Sequence, residues 1–361
     1  MKKLFTTLGM ALLLISCGQN DKKTDTADAQ DTNESPELSK QEVPEPIPAE
    51  TNDTYTTEVV VEGIPIPWGI DFLPDQSMLI TDKSGEIYHF KDGKKQKLSN
   101  VPEVYVRGQG GLLDIAVHPD YANNGWIYFT YASSEGEGEG GNTAIARAKI
   151  NGSQLTNIEV LYKAGPNTTK GQHFGSRIAF DKEGYLYFSA GERGARDENP
   201  QDITRDNGKV YRLNDDGSIP QDNPFVGKEN AKEAIYSYGH RNPQGMILNP
   251  ETGEIWVHEH GPQGGDEINV VKAGANYGWP VVTYGENYDG TPITEERSRP
   301  EFEDPIFYWL PSIAPSGFAY DIFQPLENIA TRQPELMKKV KLLAVDLDPH
   351  GVLAPELEAR A

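Results

Sequence analysis

One hairpin recurs along the chain, and that recurrence constrains the fold more than any other feature. An alternating apolar strand runs into a Pro/Asp/Asn/Gly turn, and a second strand rich in Tyr, Phe, Trp and Ile follows. IDFLPD at 70–75 leads to MLITD at 78–82, and IAVHPD at 115–120 leads to WIYFT at 126–130. IAFD at 178–181 leads through Gly184 to YLYF at 185–188, and MILNP at 246–250 leads through Gly253 to IWV at 255–257. A fifth copy begins with GFAYD at 317–321. First strands near 70, 115, 178 and 246 suit four-stranded blades whose loops lengthen along the chain. Alternation broken by turn residues implies antiparallel sheets, and radial repetition protects their edges. The expected fold is all-β, a β-propeller; a β-sandwich with coincidental spacing is the competing reading.

Composition agrees. The 361 residues include 36 Gly, 26 Pro and 17 Tyr, which favours short strands and tight turns over long helices. A formal charge of −22 argues against nucleic acid as a partner. Much of that excess lies in residues 18–54, a polar, acidic, Pro-containing run that cannot bury enough apolar surface to fold and reads as a flexible stalk. The one cysteine, Cys17, excludes an intrachain disulfide and a cysteine-based metal site. It ends LISC at 14–17, after a basic start and a short apolar run, so residues 1–17 read as a lipoprotein signal peptide with a lipobox. Cys17 would then be lipidated, tethering the protein in a bacterial envelope, at the periplasm or outer membrane, with no spanning helix. An ordinary secretory signal is the alternative.

The folded domain is expected over 55–321. Beyond Asp321 the hairpin pattern stops: 325–341 looks partly helical, and LLAV at 342–345 is one short apolar run. The expectation for 322–361 is a divergent tail, with the propeller incomplete at its C-terminus or closed in an unusual way.

Three loops carry candidate chemistry. RGQGGLLD at 107–114 has glycines for close backbone approach and, in Gln109, both a donor and an acceptor. GQHFGSR at 171–177 places His173 on a loop entering a strand, where neutral imidazole can act as a base. Its position matches that of Gln109 one repeat earlier; a histidine bonded within a turn is the bland reading. The densest stretch is RNPQ at 241–244 through GWP at 278–280. Arg241 suits bidentate carboxylate binding, and Asn242 and Gln244 can orient a carbonyl-rich ligand. The Gly261-Pro262 turn can expose backbone carbonyls to a hard cation, and Glu267 with Tyr277 could complete an oxygen-rich calcium site. Alternatively Asp266-Glu267 is a solvated turn and Trp279 is core.

These stretches resemble the soluble PQQ-dependent glucose/aldose sugar dehydrogenase family, the glucose/sorbosone dehydrogenases (PQQ, pyrroloquinoline quinone). The matching runs are GLLDIAVHPDYANNGWIYFTY at 111–131, GQHFGSRIAFDKEGYLYFSAGERG at 171–194, YGHRNPQGM at 238–246, EHGPQGGDEINVVKAGANYGWP at 259–280 and NYDG at 287–290. The resemblance covers about 55–321 and implies a six-bladed propeller holding PQQ over its central channel, with bound Ca²⁺. It makes His173 the base and puts PQQ contacts on Gln109, Arg241, Asn242 and Tyr288. The carbonyls of Gly261 and Pro262 would hold the cofactor calcium, and Glu267 and Tyr277 a further calcium. Two departures stand out. Some members have an acid just before the base, where this chain has Gln172. The lysine and Arg-x-Arg pair of the family's last blades has no match after Asp321, and Lys338, Lys339 and Lys341 lie in a different context.

The implied activity is oxidation of an aldose at its anomeric hydroxyl to the lactone, with an external electron acceptor. An incomplete propeller that binds a ligand or partner at the envelope, and a calcium-dependent lactone hydrolase, are the alternatives.

Overall fold

The computed structural model describes residues 59–320 and the strand Leu342–Leu343. Cys17, the signal peptide, the stalk and the tail apart from that strand lie outside the described residues.

Each expected hairpin is the first half of a four-stranded antiparallel meander. Blade one is β1 (Pro67–Phe72), β2 (Met78–Asp82), β3 (Glu86–Lys91) and β4 (Lys94–Leu98). Blade two is β5 (Leu112–Val117), β6 (Trp126–Ser133), β7 (Asn142–Asn151) and β8 (Gln154–Lys163), with a one-turn helix, α1 (Tyr121–Asn124), in its first hairpin. Blade three is β9 (Ile178–Phe180), β10 (Leu186–Ala190), β11 (Lys209–Leu213) and β12 (Ile235–Tyr238). Blade four is β13 (Pro243–Leu248), β14 (Ile255–Glu259), β15 (Asp266–Val270) and β16 (Phe307–Trp309). The fold is a β-propeller, with four such blades among the described residues. The fifth copy opens with β17 (Ala319–Tyr320), which pairs antiparallel with β18 (Leu342–Leu343). The short apolar run in the tail is thus a strand partner, a pairing that the break in hairpin pattern after Asp321 concealed.

The turn residues explain the repetition. Asp75 accepts the Ser77 N–H at 3.1 Å, Asp181 the Glu183 and Tyr185 N–H groups at 3.1 and 2.8 Å, and Asn249 the Glu251 N–H at 2.9 Å. A short carboxyl or amide at this position mimics a backbone turn and reverses the chain. The apolar alternation then fills the layers between blades. Leu79, Ile87, Leu112, Ile127 and Phe129 pack between blades one and two. Tyr128, Ile145, Leu186, Phe188 and Tyr211 pack between two and three, where the Phe188 and Tyr211 rings stack at 4.6 Å. Ala179, Tyr187, Met246 and Val257 join three to four.

The strands that open successive blades lie against one another, β1 on β5, β5 on β9 and β9 on β13. Side chains clasp them. Asp71 Oδ2 accepts the Val117 N–H at 2.6 Å, and Asp114 Oδ2 accepts the Ile178 N–H at 2.9 Å. Arg177 joins four segments at once: it donates to Asp114 Oδ1 at 3.1 Å, to the Gln244 carbonyl at 2.5 Å and to the Ser316 carbonyl at 3.0 Å, and it lies 4.1 Å from the Trp68 ring. The loops leading into β9 and β13, together with those leaving β10 and β14, therefore converge at one rim.

Candidate active site

A cleft of about 370 Å³ opens at that rim, lined by His173, Glu192, Arg196, Arg241, Trp279 and Tyr288 among others. A cavity of this size suits a small-molecule ligand or cofactor.

His173 precedes β9 on the loop 171–177 and has a positive φ of 56°, a region that residues with a Cβ rarely adopt. Its Nδ1 hydrogen-bonds Glu192 Oε1 on the loop leaving β10. A carboxylate only accepts, so the ring proton sits on Nδ1 and Nε2 keeps its lone pair. Burial pulls the imidazole below its ordinary pKa; the Glu192 charge opposes that shift and the Arg241 charge adds to it. His173 is therefore neutral at pH 7, as a base must be. Glu192 is 2% exposed, and its Oε2 has no hydrogen-bond partner among the described residues.

Glu192 was not among the sequence candidates. The acid was sought beside the base, where Gln172 stands; the fold brings it from the next loop instead. Its signal was position: it lies two residues past β10, whose neighbour in the sheet, β9, follows the His173 loop. The intervening Gly191 permits the approach, since a Cβ there would collide with the His173 carbonyl.

Gln109 and Asn242 do reach this loop, but as clamps. Gln109 Oε1 accepts the His173 N–H at 2.7 Å, and Asn242 Oδ1 accepts the Gly175 N–H at 3.0 Å. Asn242 is 1% exposed and, like Gln109, is not among the residues lining the cleft. Their carbonyl oxygens are committed to the base loop.

Arg241 lies between the cleft and a smaller cavity behind it. Its backbone N–H donates to Glu259 Oε2 at 2.6 Å, and Glu259 Oε1 also pairs with buried His240 at 2.8 Å. Its Nη1 donates to the carbonyls of His260 at 3.0 Å and Gly261 at 2.6 Å, while Nε and Nη2 have no hydrogen-bond partner among the described residues. One edge of the guanidinium is thus left for a carboxylate, and Trp279 lies 5.4 Å from it. The Gly261 carbonyl already accepts from Arg241, which leaves its second lone pair for a cation. Pro262 lines the cleft, and Tyr288, 76% exposed, stands at its edge.

The second cavity gathers Glu267, Tyr277, Glu259 and Gly261. Asp266 and Glu267 are not a solvated turn: both are on β15. Asp266 is fully buried and answered by Gly261 N–H, Ser312 Oγ and the N–H groups of Ile313 and Ala314, at 2.7–2.8 Å. Glu267 is half-buried and receives only a 3.4 Å contact from Asn269 Nδ2. Loss of water, then the Glu259 charge, pushes its carboxyl up to about 8. An acid so placed suits a hard cation as partner. The Tyr277 hydroxyl is committed, donating to the Val270 carbonyl at 2.5 Å and accepting the Lys272 N–H at 2.9 Å, so toward a cation Tyr277 would act through its backbone carbonyl. Trp279, core on the alternative reading, is buried and also lines both cavities.

Comparison with known proteins agrees with this geometry. The sequence model of the family described as Glucose / Sorbosone dehydrogenase matches residues 64–326. Aldose sugar dehydrogenase YliI of Escherichia coli (strain K12) is 42% identical over 274 residues, 74% of this chain and 73% of that protein. The apo-form structure of the soluble aldose sugar dehydrogenase from E. coli superposes with a TM-score of 0.72 at 40% identity, covering 75% of this chain and 80% of that one. The PQQ-bound aldose sugar dehydrogenase from Streptomyces coelicolor gives a TM-score of 0.60 at 33% identity, covering 73% and 74%. With a matching family model over most of its length, the chain belongs to the glucose/sorbosone dehydrogenase family.

Proposed function

We propose that this protein oxidises an aldose at its anomeric hydroxyl to the lactone, with PQQ and Ca²⁺ as cofactors and an external electron acceptor. The observation that carries this reading is an imidazole held through Nδ1 by the buried Glu192 carboxyl, in a cleft that also presents a guanidinium edge. The cleft can take a flat tricarboxylate: Arg241, Arg196 and Lys170 supply positive charge beside the acids Glu192, Asp197 and Glu198, and Trp279 and Tyr288 supply aromatic surface. When bound, PQQ accepts the hydride and calcium polarises its quinone carbonyl.

The protein's own residues do the rest. His173 Nε2 takes the hydroxyl proton as the C1 hydride departs. Glu192 holds the ring by Nδ1 and stabilises the imidazolium that results. Arg241 binds a cofactor carboxylate, the Gly261 and Pro262 carbonyls face the cofactor's cation, and Glu267 and the Tyr277 carbonyl hold a second. Tyr288 covers the cofactor's outer edge. The six-bladed ring and the tether at Cys17 in a bacterial envelope belong to the same reading.

Reconstitution with PQQ and Ca²⁺, followed by dye reduction with glucose, tests it. His173→Ala should lower turnover by roughly 10²- to 10⁴-fold, the usual worth of a positioned base. Wild-type turnover in that variant would overturn the assignment.

A further inference from the structure

His173 holds a left-handed backbone with φ of 56°, and opposite it Arg193 does the same with φ of 60°. Such conformations persist in residues with a Cβ only where the surroundings over-determine them. Arg193 is 1% exposed, yet its hydrogen bonds go to no carboxylate. Its guanidinium donates to the carbonyls of Lys170 at 2.7 Å, Gln172 and Gly141 at 3.3 Å, and lies over the Phe174 ring at 3.4 Å. Lys170, Gln172 and Phe174 bracket His173 in sequence, and Gly141 lies before β7. Burying a cation is costly unless its donors are used; here Nη1 and Nη2 are used, while the buried Nε has no hydrogen-bond partner among the described residues. A planar fork that serves several carbonyls while stacking on a ring is something lysine cannot supply.

The adjacent Glu192 bonds the imidazole itself. Two consecutive residues therefore hold the base, Glu192 by its ring and Arg193 through the carbonyls of Lys170 and Gln172 that precede it. We propose that Arg193 is a positioning residue for His173, fixing the loop so that the ring meets Glu192 and turns Nε2 to the cleft. The effect on turnover rests on the proposed sugar oxidation; the effect on the ring does not.

The test uses the full chain with Arg193→Lys and Arg193→Ala, and two readouts. In cofactor-free protein, NMR with ¹⁵N-labelled histidine reports the Nδ1 proton shared with Glu192. That downfield signal should vanish in Arg193→Ala and return in part in Arg193→Lys. In protein loaded with PQQ and Ca²⁺, kcat should fall about 10- to 100-fold in Arg193→Ala, the scale of a misplaced catalytic group. KM and the PQQ titration midpoint should stay put, and Arg193→Lys should recover part of kcat. Should neither variant fold, Phe174→Leu removes only the ring beneath the guanidinium and should weaken the signal in the same direction. An unchanged signal with unchanged kcat, or a loss confined to thermal stability, overturns the proposal. If the wild type shows no PQQ-dependent turnover, the functional reading fails, and the ring signal alone decides the role of Arg193.

Discussion

The loop around His173 and the cavity around Glu267 each hold a carboxyl group, Glu192 on the loop leaving β10 and Glu267 on β15, but the fold treats the two acids differently. Glu192 meets an imidazole ring already held by main-chain clamps from Gln109, Asn242 and Arg193. Glu267 meets one long amide contact and a second acid, and its carboxyl is pushed up to about 8. Asp266, next along the strand, has donors from four residues. The fold can therefore satisfy a buried acid in this blade, and at Glu267 it does not. The base is assembled by the chain itself, whereas Glu267 is left with little from the chain's described residues.

The sharpest way to break this contrast is at the acid the chain completes. Glu192→Gln keeps the shape but cannot hold the imidazolium, and kcat for sugar oxidation should drop roughly 10²- to 10⁴-fold. The pH profile sharpens it. Burial holds His173 below its ordinary 6.5, so the acid limb of kcat/KM should lie under pH 6.5. The Glu192 charge raises the His173 pKa, so its removal should move that limb lower still. The same depression bears on stability. Below pH 6.5 the unfolded imidazole takes up a proton before the folded one does, so this contribution is lost as the pH falls. A limb above 6.5, or one that rises in Glu192→Gln, would contradict the dyad.

Glu267 is the second lever, and its expected readout is binding. If a cation answers the cavity, Ca²⁺ at a hundred times its Kd should stabilise the wild type by about 2.7 kcal/mol, measured by thermal or denaturant unfolding before and after chelation. Glu267→Gln should lose most of that response while its His173 ring signal stays intact. Equal calcium response in both proteins would show that the acid serves some other purpose.

The contrast also explains what the sequence could reveal. Hairpin starts were readable because alternation and turn chemistry are local, and β2, β6, β10 and β14 fall where the second strands were expected. The outer strands were less readable: β16 pairs with β15 across a stretch of irregular chain more than thirty residues long. The same limit applied at the site. His173 and Arg241 announced themselves by type and setting, but the partner of His173 is 19 residues away through two strands. Gln109 and Asn242 were found as site residues, but their grip on the base loop was not, because sequence shows that an amide is near a ligand loop without showing which oxygen is already taken. Arg193 was passed over because a charged residue after a strand ordinarily reads as solvated, and only packing shows it 1% exposed.

Tyr288 is the smallest lever, and it isolates cofactor affinity from both acids. At 76% exposure it contributes little to the fold, so Tyr288→Ala should change unfolding stability by no more than about 0.5 kcal/mol. Its neighbour Asn287 is held by Arg196 Nη1 at 2.7 Å, which keeps the ring beside the cleft at no cost to the core. Removing a stacking partner costs about 0.5–1.5 kcal/mol, a shift of at most about tenfold in the PQQ titration midpoint. The His173 ring signal and the calcium response should both be unchanged. A midpoint that does not move would place PQQ away from this edge of the cleft, and a calcium response that did move would tie the two cavities together more closely than their shared lining residues, Arg241 and Trp279, imply.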